Sequence, residues 1–274
     1  MIPNTYVRRR DNTSVREWNA DTYHRVSNPQ FEWGLPVLAR LPLRGDELVL
    51  DVGCGTGRLT DKLLDRLPLG RGIGIDPSEN MLTVAREYLR PRHGGRVTLV
   101  RADASALPVF QQADAIFSTA TFHWILDHQQ LFRSLHAALK PGGLLVAQCG
   151  GKSNLQRVHE RAATLMLDAD FAPHFANWQE PWEFADATTT EQRLRGAGFV
   201  DIRTTVEWSP VVQPTADAYA VFLANVICRP HLSHLPDDDT RRHFIDRLTR
   251  AAIHDTPAFE LDYWRLNVAA RKAF

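Results

Sequence analysis

Between residues 47 and 149 short apolar runs alternate with helix-period patterns, and this rhythm restricts the fold more than any other feature. Residues 47–52 (ELVLDV) form a buried-strand pattern closed by glycines. Leu59, Leu63, Leu64 and Leu67 then recur at helical spacing. Residues 72–76 (GIGID) read as a second strand, followed by a helical stripe through Met81, Leu82, Ala85, Tyr88 and Leu89. Residues 96–101 and 113–119 supply a third and a fourth strand. A helix through Leu131, Phe132, Leu135 and Leu139 is closed by Pro141, Gly142 and Gly143, before a fifth strand at 144–149. Strands that alternate with helices require a parallel sheet covered on both faces. The chain is a doubly wound α/β protein.

The flanks are less regular and richer in aromatic residues. Residues 1–45 read as a helical arm carrying Tyr6, Trp18, Tyr23, Phe31 and Trp33. Residues 150–187 carry Phe171, Phe175, Trp178, Trp182 and Phe184. Thr188 and Glu191 have capping-box spacing and open a helix that ends near Gly196 or Gly198. Residues 199–208 read as a sixth strand, 215–229 and 237–254 as helices, and 259–271 as a final strand with Trp264, Leu266, Val268 and Ala270 on one face. The organisation expected is one domain over 1–274. A cofactor-binding core spans 46–149, and closing elements lie at 188–209 and 257–274. The arm and the insertions at 150–187 and 210–256 form a lid, with no second independent core.

Composition excludes several classes. With 32 Lys+Arg against 32 Asp+Glu the net charge is zero, which disfavours a protein that coats nucleic acid. No stretch approaches the roughly 18 apolar residues of a membrane span. Cys54, Cys149 and Cys228 are odd in number and far apart, so neither a disulfide framework nor a cysteine zinc site is indicated. With no signal-peptide pattern at residues 1–12, a reduced, cytoplasmic protein is expected.

The chemistry centres on Asp51-Val52-Gly53-Cys54-Gly55-Thr56-Gly57, at the carboxyl end of the first strand, where open α/β sheets bind ligands. Glycines there allow a tight turn and close approach to the backbone. The spacing is GxGxG rather than the dinucleotide GxGxxG, since Arg58 stands where the third glycine would be. Asp76 ends the second strand, where a carboxylate can accept both ribose hydroxyls; Asp76-Pro77-Ser78 also suits a helix N-cap, and the two roles are compatible.

VLDVGCGTG, the acid in GIDPSENM, Asp103-Ala104, DAIFST and LKPGG stand in the order of the class I methyltransferase motifs. The chain resembles that family, closely over 47–149 and more loosely in its closing strands. The resemblance implies a mostly parallel seven-stranded Rossmann-like sheet and S-adenosylmethionine as cofactor. Gly53, Gly55 and Gly57 would line its methionine part, with Asp51 supporting the ammonium. Asp76 would hold the ribose, Met81 would pack near the adenine, and Asp103 and Ala104 would meet the ring. Thr119 would border the sulfonium.

The segment Thr121-Phe122-His123-Trp124 with Asp127-His128, the run 148–154 and Trp18-Asn19…Tyr23 resemble the trans-aconitate methyltransferase group, which acts on small carboxylic acids. A small-molecule acceptor is therefore expected, most simply at a carboxylate oxygen, with no nucleic acid and no membrane as partners. The alternatives are a hydroxyl, amine or carbon nucleophile of a secondary metabolite, or a cofactor-binding module without catalysis. His123 is the candidate catalytic residue, as an orienting group or, for a hydroxyl or amine, as a base. Tyr23, Trp33, Trp124 and Lys152 are candidate substrate contacts beside it. An acidic acceptor needs a lid cation or amide donors, and Lys152, Arg157, His159 and Arg161 lie in the insertion after the fifth strand. Asp127 and His128 read better as the polar start of a helix than as metal ligands with His123, and no metal is expected.

Overall fold

The computed structural model describes residues 28–274. The arm's aromatic residues Tyr6, Trp18 and Tyr23 lie outside the described residues. The chain begins with α1 (Asn28–Ala39), then alternates β1 (Leu48–Val52), α2 (Arg58–Asp65), β2 (Arg71–Asp76), α3 (Glu79–His93), β3 (Val97–Arg101) and β4 (Ala113–Thr119). It continues through α4 (His128–Ala138), β5 (Leu139–Gly150), α5 (Gln156–Leu165), α6 (Ala187–Gly196), β6 (Phe199–Trp208) and β7 (Val211–Val212). The last elements are α7 (Ala216–Phe222), a π-turn over Leu223–Ile227, α8 (Arg229–Leu232), α9 (Asp238–Ala252), β8 (Glu260–Leu261) and β9 (Trp264–Lys272).

Seven strands form one sheet in the order β3-β2-β1-β4-β5-β9-β6. β1 to β5 pair in parallel, and β9 runs antiparallel between β5 and β6. The period-two strand geometry splits the core into two layers. Val49, Ala115, Phe117 and Val146 pack with α1 and α2 on one face. Leu50, Ile116, Leu145 and Ala147 pack with Leu131, Leu135 and Leu194 on the other. Strand order reverses between β1 and β4, which opens a crevice at their carboxyl ends.

Three boundaries differ from the sequence expectation. The final strand is two: β8 pairs with β7 in a separate ribbon, and only β9 enters the main sheet. The helix before β5 ends at Ala138, and Lys140–Gly143 lies within the β5 span, where the pairing with β4 shifts register. The cap of α6 is Asp186, whose carboxylate accepts from Thr189 N at 2.7 Å, in place of the Thr188–Glu191 box.

The insertions pack into an apolar cluster of their own. Val158, Ala162, Phe171, Tyr219, Phe244 and Leu248 bury one another, with Leu261 and Tyr263 closing the cluster. Phe171 and Phe244 meet edge to face at 5.1 Å between ring centroids. The aromatic residues scattered along 150–256 thus converge into a cap above the carboxyl edge of the sheet. Among the described residues no helix is long and apolar enough to cross a membrane. The three cysteines are buried and free.

Candidate active site

The glycine loop is tied to the neighbouring strand: Gly53 N and Cys54 N both donate to Ile75 O, at 2.7 and 3.0 Å. Gly53 has φ 77° and Gly55 φ 54°, a region that costs other residues about 1–2 kcal/mol. The two glycines differ in what surrounds them. A Cβ on Gly53 would lie 1.9 Å from Thr121 Oγ1, whereas one on Gly55 would meet nothing within 4 Å and would project into the cleft. Gly57, expected in the cleft, faces the other way: its missing Cβ makes room for Leu89 of α3.

Asp51, Gly53, Gly55 and Thr119 do come together in this cleft, joined by Gln30 and Phe31 of α1 and by Arg58. Arg58 lies over the Phe31 ring at 4.3 Å. Asp51 is buried and accepts from Thr60 Oγ1 at 2.6 Å. Burial, and then the charge of Asp76, push its carboxyl up to about 7. An acid in that condition gains from an incoming cation.

Asp76, Met81, Asp103 and Ala104 follow along the same carboxyl edge, at the ends of β2 and β3 and the start of α3. The Asp76 carboxylate accepts from Gly55 N at 3.0 Å and Ser78 N at 2.9 Å, which orders the loop on both sides. The N-cap of α3 is Ser78 rather than Asp76, through Met81 N. Met81 is buried. Asp103 caps the short turn Ala104–Ala106 through Ser105 N at 2.7 Å.

A second pocket adjoins the first. Gln30 borders both, and the chain passes from one to the other between Thr119 and Ala120. Ala120 takes the left-handed conformation, φ 53°, and its N–H is held by Gln148 O at 2.8 Å. This turn sets Thr121 against Gly53 and delivers the Phe122–Trp124 turn beneath the cap. Trp124, Trp182, Phe184, Val226, Ile227 and Tyr263 wall the pocket. Gln30, His123, Asn154, His159 and Arg265 line it with polar groups, beside the hydroxyl of Tyr263 and the indole N–H groups of Trp124 and Trp182.

His123 is buried, and its Nδ1 faces the Gly150 N–H at 3.2 Å. Burial first, and the nearby Arg265 next, hold the ring neutral by lowering its pKa well below the usual value. With Nδ1 accepting, the neutral ring carries its proton on Nε2 and is a donor there. His159 is buried at both ring nitrogens, neither of which has a hydrogen-bond partner, and burial lowers its pKa to about 4. Arg265, on β9, is buried between aromatic rings: its guanidinium lies 4.6 Å from the Trp33 centroid and 5.9 Å from that of Tyr263. Its Nε faces Gln148 Oε1 at 3.4 Å.

The remaining candidates separate. Trp124 lines the pocket. Trp33 packs behind it, against Arg265 and edge-on to Tyr263. Lys152 is exposed on the outside of the cap, with its backbone N–H donating to Ala185 O. Arg157 and Arg161 are bound to Glu260 and Asp255. Asp127 caps α4 through Gln130 N, and His128 Nε2 meets Phe122 O, so the two do not gather with His123. Among the described residues, Asp61, Asp65 and His93 alone lie close enough to share an ion, and Arg92 and Lys62 already neutralise Asp61. The residues missed from sequence are Arg265, Gln30, Phe31 and Tyr263. The one available signal was Arg265 itself, a cation inside the alternating closing strand.

The fold and the cleft define a class. The carboxyl-edge crevice, with its glycine cradle and cation-seeking Asp51, fits a cationic nucleoside cofactor with an amino-acid tail. A methyltransferase domain model matches residues 49–143. The chain is 31% identical over 230 residues to the trans-aconitate 2-methyltransferase of Variovorax paradoxus, covering 81% of this chain and 84% of that one. It therefore belongs to the S-adenosylmethionine-dependent methyltransferases, in the family that contains the trans-aconitate 2-methyltransferases.

Solved structures agree on the fold. Phosphoethanolamine N-methyltransferase 2 of Haemonchus contortus, solved with S-adenosyl-L-methionine, superposes with a TM-score of 0.60 at 20% identity; the match covers 93% of this chain and 57% of that enzyme. The [4+2]-cyclase SpnF superposes at 0.58 with 22% identity, over 89% and 81% of the two chains. One fold thus serves different chemistries, and the acceptor must be argued from the site.

Proposed function

We propose that the enzyme methylates a carboxylate oxygen of a small organic acid. The observation that carries this is Arg265, a buried guanidinium that lines a pocket adjoining the cofactor cleft. The names of the relatives, trans-aconitate 2-methyltransferases, support an acid. S-adenosylmethionine supplies a methyl group already activated by its cationic sulfur.

The protein's own part is to bind, orient and exclude water. Asp51 would receive the ammonium, Asp76 the ribose, and Met81, Asp103 and Ala104 the adenine; Thr119 stands where the cleft meets the acceptor pocket. Arg265 would donate to one oxygen of the acid and leave the other uncovered toward the cleft. His123, proton on Nε2, orients the acid as a donor. A carboxylate is ionised at neutral pH and needs no base, which suits a pocket whose histidines are both held neutral. His159, near 4, is too weak for general-base work at pH 7. The aromatic cap keeps the pocket dry. Low dielectric favours a step in which the opposite charges of acid and cofactor cancel.

The test is turnover of a panel of organic acids with methyl-labelled cofactor, followed by mild base. An ester releases labelled methanol, and a base-stable product removes the carboxylate reading. Arg265→Met should raise KM for the acid by about 10- to 100-fold, the range for a charge-assisted hydrogen bond, and leave cofactor affinity unchanged.

A further inference from the structure

A row of polar side chains crosses three strands and ends on Arg265; its role in binding the acid rests on the carboxylate reading above. Register brings Gln148 of β5 opposite Asn267 of β9, and Asn267 opposite Thr205 of β6. Residues two apart on a strand share a face, so Arg265 joins the row beside Asn267, and Glu207 joins it beside Thr205. Gln148, Asn267 and Arg265 are buried, and Val146, on the same face as Gln148, belongs to an apolar layer with Val49 and Phe117. Buried amides next to such a layer are costly unless their polar atoms are matched.

Here they are matched head to tail. Arg265 Nε donates to Gln148 Oε1 at 3.4 Å, and Gln148 Nε2 donates to Asn267 Oδ1 at 2.9 Å. Asn267 Nδ2 donates to Thr205 Oγ1 at 3.4 Å, and the Thr205 hydroxyl donates to the Glu207 carboxylate at 2.9 Å. Arg40, just after α1, adds a bond in the middle, from Nη1 to Asn267 Oδ1 at 2.7 Å.

The charged ends give the row its direction, because a guanidinium only donates and a carboxylate only accepts. Arg40 turns the Asn267 oxygen toward itself. Glu207 takes the Thr205 proton, which leaves that hydroxyl to accept from Asn267 Nδ2. With Asn267 oriented from both sides, Gln148 offers it an N–H and keeps its own oxygen for Arg265. A reversed Gln148 would set N–H against N–H at Arg265 and oxygen against oxygen at Asn267. Bonds aligned in this way polarise one another.

We propose that Gln148 and Asn267 are positioning residues for the acid, acting through Arg265, and that Arg40 and Glu207 set their direction from the exposed ends of the row. Trp33 and Tyr263 lie against the guanidinium, and the bond at Nε fixes the rotation of its plane. The acid then meets a cation that is already ordered, so less freedom is lost on binding.

The test is a double-mutant cycle in the full chain. It uses methyl-labelled S-adenosylmethionine and whichever acid is methylated fastest in a panel that includes trans-aconitate, itaconate and benzoate. Gln148→Met keeps the length of the side chain and removes the oxygen. It should raise KM for the acid by about tenfold while kcat and cofactor Kd change by no more than about twofold. In an Arg265→Met background the same substitution should leave KM unchanged, since no guanidinium remains to be placed. Glu207→Gln, at an exposed position, should raise KM by about two- to threefold in the wild-type background alone, with the melting temperature unchanged. It reads the same row if Gln148→Met does not fold. A KM that these substitutions leave unaltered in the wild type, or raise equally in both backgrounds, would overturn the proposal and leave the carboxylate reading standing. If no acid yields a base-labile methyl group, or if Arg265→Met leaves the KM of the acid unchanged, the carboxylate reading falls and this inference falls with it.

Discussion

The cofactor cleft and the cap are built on opposite principles. The cleft is made by backbone: glycines with positive φ, N–H groups turned onto Asp76, and two acids whose positions are fixed by strand ends. The cap pocket is made by side chains drawn from segments far apart in sequence, such as Trp124, His159, Trp182, Ile227 and Arg265, held by a separate apolar cluster. Backbone-built sites tolerate little change at particular positions. A side-chain site can be rebuilt while its supporting core is kept. The difference teaches how one cofactor engine serves many acceptors: the part that must stay fixed is local in sequence, and the part that must vary is not.

The largest effect is expected where the cap's core is cut. Phe171→Ala or Phe244→Ala removes a fully buried ring and should cost about 3–5 kcal/mol. If the cap is energetically separate from the sheet, cofactor Kd by calorimetry should stay within about threefold while turnover is lost. Loss of cofactor binding together with turnover would break the comparison and make cap and cleft one cooperative unit.

The glycine pair sharpens the other half. Gly53→Ala meets both a positive φ and a 1.9 Å approach to Thr121 Oγ1, so stability and cofactor affinity should fall together, affinity by about 100-fold or more. Gly55→Ala meets only the conformational cost, about 1–2 kcal/mol, with its methyl in the cleft. It should fold and bind weakly. Equal loss of melting temperature in the two variants would contradict the assignment of Gly55 to the ligand-facing wall.

These contrasts explain how much was legible in the sequence. Asp51, Gly53, Gly55 and Thr119 could be placed together because each sits at a strand end whose apolar run is visible, and parallel strands bring such ends to one edge. The carboxylate reading calls for a cation, whose source was not legible. Lys152, Arg157 and Arg161 lie in the insertion, yet one is exposed and two are tied to acids of the cap. The buried cation comes from β9, whose neighbour β5 is more than a hundred residues earlier. Gly150 pairs with Arg265, and Gln148 with Asn267, only through that antiparallel register. No local period encodes it. The apolar cluster of the cap was not legible for the same reason: Phe171 and Phe244 are adjacent only in space.

Asp51 gives a pH test of the cleft. Its folded carboxyl, near 7, lies above the ordinary 3.8, so its contribution to stability is present at low pH and is lost as pH rises from about 4 through 7. A bound cation reverses that cost. Affinity for S-adenosylmethionine should therefore rise about tenfold per unit as pH approaches 7 and level off above it, with proton release on binding near pH 6. Asp51→Asn should flatten the profile, the ligand's own ionisation being common to both proteins. A wild-type affinity independent of pH between 5.5 and 7 would remove Asp51 as the ammonium partner.

The smallest effect separates two readings of one helix start. The Thr188–Glu191 spacing has the form of a capping box, but a box requires Thr188 to stand just outside the helix, and the helix already includes Ala187. Asp186 precedes it in extended conformation and accepts from Thr189 N, while Thr190 Oγ1 donates to Asp186 O. Thr188 is exposed. Asp186→Ala should thus cost about 1 kcal/mol, the usual value of an N-cap, and Thr188→Ala less than about 0.5 kcal/mol. Since α6 packs on the sheet and not on the cap pocket, neither variant should change acid preference. Denaturant melts resolve the two: a larger loss at Thr188 would restore the box. A changed acid preference in Asp186→Ala would instead show that the residues following Phe184 transmit to the pocket wall, narrowing the separation between cleft and cap.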